Sequence, residues 1–422
     1  MHPYIIKWDV TTYYHGTPGS AGHCTGYLLN KATFFNKISQ MKGGAILGVL
    51  AIHATAPAIN PQYHIAESWI VALIAINQAA RFCVPLFFFI SGLTYGFFYE
   101  QQYKGCYACF IKKRSSKILI PYTFWCFFYL CVRLITGDLS IDDLSPLHLM
   151  VMYLTGSASG HLYFIPAIFQ FYLLLPLFFL LVKKISAQKN SGIFWSLYLL
   201  AMLIALHVRM VTQQEASWLH IAGSSYWFFW WAPFSLIGLH MGKKLSQNTL
   251  LRIPPFFLSS IILLFFSLLF MQYFFAYQHV LLSSTPTRWQ LDTMATFLRP
   301  PAFAYAVFCC LLSYWFIVHN KLDGSGEGKI ISKNFPTNKL NFSTIQGSAL
   351  LHRIGANSFG IYLLHPFVNK FLLKIGKLSG HDLNGTVASV FLLFFAGSLV
   401  SYLVIYCCRV LPGIRFVFGD IR

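Results

Sequence analysis

Ionisable side chains inside long apolar stretches are costly, so they are the first places to look for chemistry. His53 lies in the stretch Met41-Lys42-Gly43-Gly44-Ala45-Ile46-Leu47-Gly48-Val49-Leu50-Ala51-Ile52-His53-Ala54. Lys42 comes eleven residues earlier, about 16 Å along a helix that rises 1.5 Å per residue. If Lys42 opens the helix at a membrane boundary, His53 is near mid-membrane. An imidazole there can serve as general base, with Lys42 and the helix N-terminus holding phosphate groups at the entrance. The same spacing equally suits a bundle-facing histidine bonded to a neighbouring backbone, behind an ordinary flanking lysine. Spacing alone does not separate the two.

The next stretch reads Arg81-Phe82-Cys83-Val84-Pro85-Leu86-Phe87-Phe88-Phe89-Ile90-Ser91-Gly92. Counted from its outer end, Ser91 and Gly92 fall at the depth of His53. Pro85 frees a backbone carbonyl, and Gly92 lets a helix or ligand approach closely. Arg81 is the outer-edge cation, placed either to hold an acceptor or to snorkel to headgroups. Asn357-Ser358-Phe359-Gly360-Ile361-Tyr362-Leu363-Leu364-His365-Pro366 brings a second histidine to mid-depth. His53, His365 and Ser91 at one level on three helices suggest a polar chamber, or else a stabilising hydrogen-bond network. His161 stands at the outer edge of a further stretch and His240 at the inner, headgroup level of another. No carboxylate pair, nucleotide-binding glycine loop or zinc-ligand spacing appears, and no metal is expected.

The elements that must position these groups are transmembrane helices. Of the 422 residues, 56% are hydrophobic, 18% aromatic and only 10% charged, and the mean hydropathy is +0.59. A soluble domain carries about 25% charged residues. Here the apolar residues fall into blocks of about 20, the length a membrane-spanning helix needs. Ten spans are expected: 43–59, 82–99, 118–136, 161–182, 193–210, 226–242, 254–276, 294–318, 356–374 and 386–408. The stretch 69–80 is also apolar, so the second span either begins early or follows an interfacial helix. The fold class is all-α, a polytopic bundle, and no internal repeat marks an inverted-repeat transporter.

The formal charge of +19 reflects loop cations. With the N-terminus inside, 23 of the 31 Lys and Arg fall on the inner side, seven on the outer, and Arg133 within a span. That bias places both termini in the cytoplasm and the protein in the plasma or inner membrane. No basic face with interleaved aromatics points to nucleic acid. Most of the ten Cys lie in apolar blocks, and Cys106-Tyr107-Ala108-Cys109 has no second pair. Residues 1–41 form a cytoplasmic lead-in without a signal-peptide core, or an over-extended start before Met41. The membrane domain spans 42–411 with a flexible cytoplasmic connector at 319–355, and 412–422 is a cytoplasmic tail.

Four stretches together resemble the membrane-bound acyltransferase 3 family, which includes bacterial surface-polysaccharide O-acetyltransferases. The first is Lys42 with His53, where members more often carry Arg at the first position. The second is Arg81 with Val84 to Gly92. The third is His161-Leu162-Tyr163-Phe164 with Tyr172 and Pro176, where Trp often replaces Tyr163. The fourth is Ser358 to Pro366. The resemblance implies ten helices and transfer of an acyl group, usually acetyl, from cytoplasmic acyl-CoA to an extracytoplasmic hydroxyl. It also implies that His53 is essential, as general base or as transient acyl carrier. Ser91 and His365 would then assist it at the same depth, Lys42 would bind acetyl-CoA or another acyl-CoA, and Arg81 and His161 would face the acceptor. Expected partners are membrane lipid, the acyl-CoA and a glycan or lipid-linked sugar, in a chain that could self-associate. The rival reading is a transporter or flippase of a surface polysaccharide or its lipid-linked precursor. The scarcity of acidic residues in the spans weakens a proton-coupled carrier.

Overall fold

The computed structural model describes residues 31–59, 66–98, 107–188, 191–212, 225–247, 264–274, 299–323, 342–380, 383, 385–408, 411 and 415–419. Residues 1–30 of the lead-in, Cys106, residues 254–263 of the seventh expected span and 324–341 of the connector lie outside them. Among the described residues there is no strand. The helices are α1 (Lys31–Ile59), α2 (Glu67–Ala79), α3 (Cys83–Phe97), α4 (Tyr107–Thr136), α5 (Pro146–Thr155), α6 (Phe164–Ala187) and α7 (Ser191–Thr212). They continue as α8 (Ala232–Ser246), α9 (Leu264–Phe274), α10 (Pro300–Asp323), α11 (Phe342–Ala356), α12 (Ser358–Leu378) and α13 (Val387–Cys408).

Among the described residues, seven stretches are long and apolar enough to cross a membrane: Lys31–Ile59, Ser68–Phe97, Tyr107–Thr136, Phe164–Ala187, Ser191–Arg209, Pro300–Val318 and Val387–Cys408. The other three expected spans hold α8, α9 and α12, which are shorter or more polar. The connector expected at 319–355 is helical at both ends, since α10 runs on to Asp323 and α11 fills 342–356. The expected tail also folds back: Trp125 Nε1 donates to the Val417 carbonyl at 2.9 Å, and the Phe418 ring packs on Trp125.

Two close seams set the frame. Gly92 and Gly96 of α3 face Gly238 and Gly242 of α8, and a Cβ on any of the four would meet the partner backbone. Small residues four apart let two helices touch along their main chains, so Gly92 admits a helix. Gly43 and Gly355 do the same for α1 and α11.

The register of α1 against α2 and α3 decides which residues share a depth. Phe34 stacks on Phe97 at 4.0 Å, Gly48 abuts Cys83, and Thr55 bonds Asn77. The two helical arms of this hairpin are therefore antiparallel, with α2 and α3 joined through a 3₁₀ turn at Ala80–Phe82. Arg81 is thus not at an outer edge. It stands in the middle of the stretch Ser68–Phe97, opposite the turn of α1 that precedes His53. Ser91 lies ten residues further along that helix, opposite residues near Gln40. It is roughly 20 Å from the level of His53 at 1.5 Å per residue, so the two do not share a depth. Lys42 does not open its helix either, because α1 is already helical from Lys31. The helix N-terminus invoked for phosphate binding is not there.

Candidate functional site

Three histidines from three parts of the chain meet. His53 on α1 packs edge-on against His365 on α12, with ring centroids 4.9 Å apart. His365 in turn lies 5.7 Å from His161, which sits in the turn before α6. His161 is also flanked by Tyr129 at 5.2 Å and Tyr362 at 5.1 Å. The sequence put His161 at an outer edge; the structure buries it beside His365, with 5% and 0% exposure respectively. His53 alone of the three keeps part of its surface open.

Local sequence explains how the rings are held. Gly156 ends α5 at φ +74°, a left-handed conformation in which a side chain would be strained. That turn returns the chain so that His161 reaches α12, where the Tyr362 hydroxyl donates to the His161 carbonyl. Pro366 has no N–H, which loosens the preceding turn of α12. There the Tyr129 hydroxyl donates to the Leu363 carbonyl at 2.8 Å. His365 Nδ1 lies 3.0 Å from the Ile361 carbonyl and must donate to it, since a carbonyl only accepts. In the neutral ring Nε2 is then a bare acceptor. His161 Nδ1 pairs with Ser159 Oγ at 3.0 Å. The Nε2 atoms of both His161 and His365 are buried without a hydrogen-bond partner. Buried polar atoms are nearly always paired, so these two mark a place that a polar group completes.

Arg81 supplies the charge. Its Nη2 donates to Asn77 Oδ1 at 2.6 Å. Asn77 Nδ2 donates to the Ile52 carbonyl at 3.2 Å and to Thr55 Oγ1 at 2.8 Å. The Asn77 amide therefore rests on the turn of α1 that carries His53, and the Arg81 charge acts on His53 and on Tyr163. Sequence reasoning missed Asn77, although a polar residue four before Arg81 on one helix face was a usable signal. It also missed Gln78 and Gln272, which bury a second polar cluster next to the first. Arg299 Nη2 donates to Gln78 Oε1 at 2.7 Å, and Gln272 Nε2 to the Gln78 carbonyl at 2.9 Å.

The acyltransferase domain family matches residues 35–406. The chain belongs to the acyltransferase 3 family. No curated protein and no solved structure matches it. With its long apolar helices, the protein is a membrane acyltransferase, and the match contains every candidate residue named above.

Within this acyltransferase the expected residues divide. His53, His365, His161 and Arg81 come together; Ser91 and Lys42 lie nearer the end where α1 begins. Ser91 Oγ donates to the Phe87 carbonyl at 2.9 Å. His240 is buried in the bundle, with Nδ1 3.1 Å from Ser186 Oγ and its ring 5.5 Å from Trp195. An accessible imidazole beside a guanidinium, backed by two imidazole nitrogens awaiting partners, can take a proton and stabilise a developing negative oxygen.

Proposed function

We propose that the protein transfers an acyl group, in the first instance acetyl, from acyl-CoA on the cytoplasmic side to a hydroxyl of an extracytoplasmic glycan or lipid-linked sugar. The observation that carries this is the partly open His53 with Arg81 beside it. His53 takes the proton of the acceptor hydroxyl as its oxygen attacks the thioester carbonyl. Arg81 stabilises the tetrahedral oxyanion that forms, and its collapse breaks the C–S bond. The His53 proton then passes to the departing thiolate, giving CoA thiol and the new ester. His365 and His161 hold the acceptor through their unpaired Nε2 atoms. Lys42, in the interior of α1 about 16 Å from His53, contributes charge for the donor's phosphates. The charge bias of the loops supports cytoplasmic termini, and α8, α9 and α12 supply three further crossings beside the seven long helices.

The test is a purified His53→Ala variant of unchanged melting temperature, incubated with labelled acetyl-CoA and a cell-surface glycan extract. Labelled glycan is expected from the parent only. Equal labelling by the variant would remove His53 from the chemistry. Acylated protein accumulating when acceptor is withheld would make His53 a carrier.

A further inference from the structure

The region between Ser91 and the start of α4 is as specific as the histidine cluster, yet the reaction above does not use it. Arg114 lies two turns into α4. Its guanidinium carbon stands 5.2 Å from the Tyr95 ring centroid, 5.6 Å from Phe110 and 5.8 Å from Tyr172. The three rings come from three helices. Tyr95 and Tyr172 pack at 5.5 Å and Tyr95 and Phe110 at 5.8 Å, edge-on in both cases. The cage is fastened by a proline effect: Pro176 cannot donate to the Tyr172 carbonyl four residues earlier. The Tyr107 hydroxyl donates there at 3.2 Å and to the Leu173 carbonyl at 2.7 Å.

A guanidinium carries five N–H donors, so ring contacts and one hydroxyl neighbour still leave it able to take a phosphate. The Arg114 side chain is only half-buried, and the polar side chain facing it among the described residues is the Tyr95 hydroxyl. Tyr95 is 3% exposed, and its hydroxyl points toward Arg114 and Tyr172. The Tyr172 hydroxyl faces Ser91, one turn before Tyr95 on the same face of α3. Ser91, Tyr172, Tyr95 and Arg114 thus form a polar thread running away from His53. By the α1 register Tyr95 lies opposite the turn around Lys37, roughly 25 Å from the level of His53.

We propose that Arg114 in its Tyr95–Phe110–Tyr172 cage binds the nucleotide end of acyl-CoA, the adenosine 3′,5′-bisphosphate part. The inference rests on the donor and orientation given under the proposed function. An extended CoA spans this depth, so its thioester reaches His53 and its diphosphate passes Lys42 while its adenosine 3′-phosphate end remains at Arg114. A planar guanidinium fits a phosphate in bidentate fashion. The exposed Tyr107 ring, stacked on Phe110 at 6.2 Å, offers a face beside it for adenine. Lys42 stands between the two ends, where the chain of the donor passes.

The test is direct binding to the purified full chain in detergent, which needs no acceptor. Three probes are used: acetyl-CoA, S-acetyl-4′-phosphopantetheine, which lacks the nucleotide end, and adenosine 3′,5′-bisphosphate alone. The parent should bind acetyl-CoA about tenfold to hundredfold more tightly than the truncated donor, the range of one or two charge-assisted hydrogen bonds. Adenosine 3′,5′-bisphosphate should compete with acetyl-CoA. In Arg114→Ala the preference for acetyl-CoA over the truncated donor should fall to near unity, and Arg114→Lys should restore part of it. A parent that binds no acetyl-CoA defeats the donor assignment itself. A parent that binds it while Arg114→Ala keeps the same preference defeats this inference alone. Should Arg114→Ala fail to fold, the competition by the bisphosphate decides, and its absence overturns the site.

Discussion

The seam between α3 and α8 and the histidine cluster around α12 belong to one bundle but are built on opposite terms. Along the seam Gly92, Gly96, Gly238 and Gly242 remove every side-chain atom between two backbones, and nothing is left open. Around His365 the packing is equally close, yet two buried imidazole nitrogens have no partner and His53 stays partly open. Close packing with full satisfaction makes a rigid frame. Close packing with unpartnered buried nitrogens leaves room for a polar group, which under the proposed function is the acceptor, held to the frame through α1 and α3. A change on the seam should therefore remove the protein, and a change in the cluster should remove only the reaction.

The largest effect should come from the seam. Gly92→Val would drive Cβ into the Ser235 carbonyl, and neither backbone can yield. Loss of monodisperse folded protein is expected, while Gly44→Ala, with nothing within 4 Å of its new Cβ, should behave as the parent. A well-folded Gly92→Val protein would break the contrast at once. Next comes His53→Ala, which should lower kcat about 10²–10⁴-fold, the usual range for a general base, with the melting temperature unchanged. A melting temperature lowered along with activity would make His53 part of the frame.

Asn77→Ala should have an intermediate effect of about tenfold to hundredfold in kcat/KM, equivalent to a lost hydrogen bond to a charged group. It releases Arg81 from the turn that carries His53, and Asn77→Asp, which keeps the Arg81 contact, should recover part of the loss. Equal defects in both variants would show that the amide serves α1 packing rather than Arg81. The smallest effect is expected from Ser91→Ala, within about threefold in kcat, since its hydroxyl already bonds its own helix and stands roughly 20 Å from the level of His53. A large fall in kcat there would restore Ser91 to the chemistry and contradict the register.

Sequence pattern located the apolar helices, because a bilayer imposes its thickness on every span and periodicity within a block hardly matters. It failed where two spans merge with neighbouring helices. The apolar run 69–80 joins Arg81-Phe82 through a 3₁₀ turn, so counting from an assumed outer edge misplaced Arg81 and Ser91 together. α1 begins at least eleven residues before Lys42 because Phe34 and Ile38 are buried against the bundle, a packing fact that no boundary residue announces.

By itself the sequence determined that this is an α-helical membrane protein, that it carries the acyltransferase residues in order, and that His53 and His365 stand inside the bundle. Each follows from local chemistry: hydropathy fixes the helices, and an imidazole in hydrocarbon demands a reason. Only the tertiary structure decided that His161 joins them, that Arg81 is tied through Asn77 to the His53 turn, and that Ser91 points instead into the thread ending at Arg114. These are questions of register and crossing between helices far apart in the chain. Helix register is set by where glycines allow backbones to touch and where buried polar groups find partners, and neither is visible one span at a time.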